Sequence, residues 1–151
     1  MFERFATRAR DTVRMAVAEA GRRGDRRVGT DHLLIGVLQD PAVAQAVGAD
    51  AEAARRVADQ LDRAALAAIG FDAAPLGPLA PAVGTARLPF TPGAKAVLAR
   101  ALALVAAGRA RRIESAHLLA ALLERAAPDP AAEILAGLGI DRDDHGSSRV
   151  V

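Results

Sequence analysis

The sequence predicts an all-α protein made of two pseudo-symmetric repeats of about four helices each, the last helix short or frayed. Three observations carry this expectation. The composition sets 38 Ala beside only 40 Val, Ile, Leu, Met and Phe in 151 residues, and Ala and Leu lead the helix formers. Helix start and stop signals recur around apolar residues three or four apart. A shift of 85 residues lays the second half of the chain on the first, the signature of an internal repeat.

Taken in order, Phe5, Ala9, Val13, Val17 and Ala20 mark one face of a first helix ending at Gly21. Thr30 is positioned as the N-cap of a second, with Asp31 in its first turn and Leu33, Leu34, Val37 and Leu38 as its apolar residues. Pro41 opens a short third helix that Gly48 closes, and Asp50 caps a fourth carrying Ala54, Val57, Leu61 and Ala65 up to Gly70. Residues 71–89 contain four Pro and two Gly, which reads as a connection rather than a helix or central strand. Thr91 and Pro92 then start a fifth helix bearing Leu98, Ala101, Leu102 and Val105. Ser115 caps a sixth with Leu118, Leu119, Leu122 and Leu123, and Asp129-Pro130 opens a seventh closed by Gly139. The polar run from Asp141 to Val151 leaves an eighth helix doubtful.

The division expected is therefore repeat 1 over 1–70, a connection over 71–89, repeat 2 over 90–141 and a flexible tail over 142–151, the repeats forming one domain. At a shift of 85, Phe5 meets Phe90, Arg26-Arg27 meet Arg111-Arg112, Val28 meets Ile113, and Thr30-x-His32-Leu33-Leu34 meets Ser115-x-His117-Leu118-Leu119.

Composition excludes several functions. With no Cys there is no disulfide framework, thiolate metal site or thiol nucleophile. The only Lys, Lys95, follows Ala94, so no phosphate-binding loop of the Gly-Lys type exists. Ser115, Ser147 and Ser148 lack a G-x-S-x-G setting. His32, His117 and His145 have no metal-ligand spacing, and the equivalence of the first two predicts one structural job done twice, beside a helix N-terminus. The pI near 10.3 reflects Arg chemistry more than net charge, which is only +2. The Arg22–Arg27 and Arg109–Arg112 loops could grip nucleic-acid phosphates, but with 3% aromatics and no Asn or Tyr for base contacts a solvated loop is expected. No signal core or membrane span is present, so a cytoplasmic location, no cofactor and no metal are expected, with a monomer as the simplest state.

Three ordered motifs then carry a likeness. Met1-Phe2-Glu3-Arg4-Phe5-x-x-Arg8-Ala9, Gly29-Thr30-Asp31-His32-Leu33-Leu34-x-Gly36-Val37-Leu38 and Pro89-Phe90-Thr91-Pro92-x-Ala94-Lys95-x-Val97-Leu98 resemble the N-terminal domain of ClpC-type AAA+ unfoldases over roughly residues 1–140. The resemblance implies an all-α pair of repeats that receives peptides, protein substrates or adaptors for a Clp ATPase, without catalysis of its own. It also implies a peptide-accepting surface near Phe2, Phe90, Thr91 and Lys95. In that family each repeat can hold a phosphorylated arginine, a Glu before the His taking the guanidinium and a Thr at the start of the first helix helping with the phosphate. Carried over within each repeat, the acid is Asp31 but the Thr is Ala6 in repeat 1; Thr91 and Lys95 remain but the acid is Ala116 in repeat 2. Each site then keeps a different half, and the peptide surface is the stronger expectation. The rival readings are a fragment of a full Clp ATPase and a small DNA-binding helical protein.

Overall fold

In a computed structural model, residues 2–71 and 87–140 are described; the predicted tail and most of the 71–89 connection lie outside them. A 3-10 turn, Phe2–Arg4, precedes seven α-helices: α1 Thr7–Arg22, α2 Thr30–Val37, α3 Pro41–Val47, α4 Ala51–Ala68, α5 Pro92–Ala107, α6 Ser115–Leu123 and α7 Pro130–Gly137. The all-helical expectation holds, and the elements fall in the predicted order.

Several boundaries differ for physical reasons. The first helix runs through Gly21, and the left-handed residue is Gly24, at φ +72°. Beside it the Asp25 N–H closes onto the Ala20 carbonyl at 2.9 Å, the wrapped end that a positive-φ glycine permits. Thr30 and Ser115 are the first helical residues rather than the caps, which are Gly29 and Glu114. In both repeats the His three residues on takes the cap's backbone proton: Gly29 N–H donates to His32 Nδ1 and Glu114 N–H to His117 Nδ1, each at 2.9 Å. That is the duplicated structural job expected of the two histidines. Asp40, Asp50, Thr91 and Asp129 cap α3, α4, α5 and α7 with their side-chain oxygens.

One buried cluster holds residues of both repeats, among them Phe5, Val28, Leu34 and Val37 from the first and Leu98, Ile113, Leu118 and Leu122 from the second. α2 packs against α1 and α4 of its own repeat and against α5, α6 and α7 of the other. Its approach to α1 is close: a Cβ at Gly36 would lie 2.6 Å from the Thr12 carbonyl oxygen. Nearer the C-terminal end of α1, the buried Glu19 carboxylate receives Arg55 Nε and Nη2 from α4, each at 3.1 Å, as well as Arg22. The hydrogen bond to Glu19, opposed by burial, raises the Arg55 guanidinium above its ordinary value. Arg23 adds a second clasp on α4, 2.9 Å from Asp59 and 2.8 Å from Asp62, so two arginines of the basic loop are spent on ion pairs. Beyond Leu61 the end of α4 leaves the core: Ala65 is exposed, against expectation, and so are Ile69 and Phe71.

Candidate functional site

Two short parallel bridges exchange strand-like contacts between the repeats. Val28 N–H donates to the Pro89 carbonyl at 2.8 Å and Thr91 N–H to the Val28 carbonyl at 2.9 Å. Equivalently, Ile113 N–H donates to the Arg4 carbonyl at 2.8 Å and Ala6 N–H to the Ile113 carbonyl at 2.9 Å. The start of each repeat's first long helix is thereby fastened to the loop before the other repeat's His-bearing helix.

The first bridge sets residues of the two repeats side by side, where the sequence alone groups them within each repeat. Asp31 of repeat 1 and Thr91 of repeat 2 line one cavity of about 470 Å³, together with Asp25, Arg26, Arg27 and Asp129. The second junction carries Ala6 and Ala116 at the corresponding positions. Across the bridges, one junction carries Asp31 and Thr91, and the other carries Ala at both positions. The Asp31 carboxylate folds back over the helix start because Gly29 has no side chain; a Cβ there would meet Asp31 Oδ1 at 2.5 Å. Thr91 Oγ1 accepts Ala94 N–H at 3.1 Å. Thr30 Oγ1 donates to Asp129 Oδ1 at 2.8 Å and accepts Ala131 N–H at 3.3 Å, tying α2 to α7 beneath the cavity. Three helix starts, carboxylates and two arginines therefore meet at one place, able to receive a group bearing both signs of charge.

Asp25, Asp31 and His32 approach as a metal trio would, but both imidazole nitrogens are engaged. Nδ1 accepts Gly29 N–H and Nε2, as the remaining N–H, donates to Asp25 Oδ2 at 2.7 Å. The ring has no lone pair left for a cation.

The second concavity is a groove of about 610 Å³ between α1 and the 87–90 segment, lined by Val13, Val17, Leu88 and Phe90 with Arg10, Arg14 and Arg87. Phe90 is only half-buried while its repeat-mate Phe5 is 2% exposed, so the two equivalent aromatics do different jobs. Lys95 is exposed one turn after Thr91 and lines neither concavity. The backbone of Phe2 belongs to the 3-10 turn; its side chain lies outside what is described. Sequence reasoning missed Arg87, Leu88, Asp129 and the groove role of Arg10 and Arg14. For the last two a signal existed: arginines four apart alternate with Val13 and Val17 along the same helix.

The description "Clp repeat (R) N-terminal domain" matches residues 4–138. The chain belongs to the Clp N-terminal domain family. No curated protein matches it. Among solved structures it is similar to the N-terminal domain of the caseinolytic protease associated chaperone ClpD from Arabidopsis thaliana, at 22% identity and TM-score 0.70, over 95% of this chain and 92% of that one. A structure from preliminary investigations of a malarial protein secretion system matches at 15% identity and TM-score 0.67, over 93% and 88% of the two chains. At these identities the neighbours speak to fold, and this Clp N domain shares theirs. No helix among the described residues is long and apolar enough to cross a membrane.

Proposed function

We propose that this Clp N domain is a non-catalytic receptor for peptides, protein substrates or adaptors of a Clp machine. It acts in the cytoplasm as a monomer, recruiting its ligands or competing for them, with repeats 1–70 and 90–141 working as one unit. The observation that carries the reading is the half-buried Phe90 in an apolar groove at the repeat boundary, of a size that small ligands and peptide side chains fill. Its test is binding of Clp substrate peptides to the chain and to Phe90→Ala. Loss of a central aromatic contact is expected to weaken binding by about 2 kcal/mol, while Lys95→Ala, outside the groove, should change it little. Unchanged binding in Phe90→Ala would reject the groove as the surface.

A second reading is favoured by the meeting of Asp31 and Thr91 in one cavity: a single phosphoarginine site, the carboxylate taking the guanidinium and the Thr91 end of α5 the phosphate. Titration with free phosphoarginine is expected to give one site per chain, abolished by Asp31→Ala and by Thr91→Ala separately. Two sites, or none, would refute it.

A further inference from the structure

The groove beside Phe90 has a one-sided charge. Among the described residues, each charged side chain lining it is an arginine: Arg10 and Arg14 one turn apart on α1, and Arg87 on the opposite wall. Val13 and Val17 on α1 and Leu88 and Phe90 across from them form the apolar floor. Arg14 also lies 3.4 Å from Asp11 on an exposed part of α1, and Asp11 lines a separate depression toward Gln39 and Pro41. A cationic rim over an apolar floor repels a basic segment and leaves a neutral one without partners for its edges. Resting on the reading of this groove as the peptide surface, we infer that it selects one class of partner: peptides in which apolar side chains are interleaved with carboxylates. The apolar residues bury on the floor, and the carboxylates meet Arg14 and Arg87, a guanidinium pairing bidentately with a carboxylate where the geometry allows.

The experiment uses a labelled peptide in which Phe and Leu alternate with Glu, beside counterparts carrying Gln or Lys at the Glu positions, titrated into the full chain at low and high salt. The Glu peptide is expected to bind about tenfold more tightly than the Gln peptide at low salt, with the difference shrinking as salt rises, and the Lys peptide more weakly than either. In the double variant Arg14→Gln, Arg87→Gln the Glu and Gln peptides should bind alike, while Arg14→Lys, Arg87→Lys keeps the preference; the melting temperature of each variant reports whether it folds. Equal binding of the Glu and Gln peptides to the native chain, with loss of both in Phe90→Ala, would leave the peptide surface standing and overturn its acid selectivity. A preference that survives the Gln variant would place the carboxylates elsewhere and overturn it too. If no peptide binds, the surface reading falls as well, and dimerisation in sedimentation would assign the groove to a second copy of the chain.

Discussion

Replacing Gly36 by Ala tests whether the close approach of α1 and α2 holds the molecule together. In an unobstructed helix the change stabilises by about 1 kcal/mol, because Ala loses less backbone freedom on folding than Gly. Here the new methyl would stand 2.6 Å from the Thr12 carbonyl oxygen and 3.1 Å from the Ala16 nitrogen. Carbon–oxygen contacts settle near 3.3 Å or more, so the two helices would have to part by about 0.7 Å. Both obstructing atoms are backbone and cannot rotate aside. A gap of that width forfeits about a quarter to a half of the dispersion energy along the contact. Taking overpacking at about 3 kcal/mol and subtracting the propensity gain leaves a net loss of about 2 kcal/mol, which lowers the melting temperature by roughly 4–8 °C for a chain of this size. Gly21→Ala is the internal control: it sits within α1, has no heavy atom within 4 Å of its missing Cβ, and should raise the melting temperature by roughly 2 °C. Thermal unfolding followed by circular dichroism reads both. A rise in the melting temperature of Gly36→Ala, or the same sign for both variants, would refute the reasoning.

Thr30→Val keeps shape but removes the hydroxyl between Asp129 and the Ala131 N–H; urea unfolding should show a loss of about 2 kcal/mol with the slope unchanged. Gly137→Ala drives a methyl to 2.5 Å from Val57 Cγ1 and should destabilise, and adding Val57→Ala should recover about 1 kcal/mol in a double-mutant cycle across the α4 and α7 contact. Because the buried cluster draws on both repeats, a protease cut between residues 72 and 86 should leave one particle on size exclusion and one melting transition; a separately folded half would contradict the shared core.

The helices were legible because their signals are local: Asp50, Thr91 and Asp129 cap where they were expected to, and His32 and His117 repeat one hydrogen bond. Thr30 was misread as a cap because a hydroxyl before an apolar run looks the same whether it bonds its own helix or Asp129, 99 residues away. That Asp31 and Thr91 line one cavity was out of reach for another reason. A repeat alignment states which residues are equivalent, and that equivalence is identical whether equivalent parts touch within a copy or across copies. Phe5 and Phe90 show the same limit, sharing a position and a backbone bridge but not a degree of burial.

The reciprocal bridges mean that neither copy owns a complete junction: Val28 is finished by Phe90, and Ile113 by Phe5. Two separate, identical chains assembled this way would have two junctions of the same composition, and any substitution would strike both at once. Joining the copies in one polypeptide removes that constraint. Ala6 and Ala116 could then arise at one junction while Asp31 and Thr91 stand at the other, so covalent linkage gives this molecule an asymmetry that a symmetric pair of chains could never acquire.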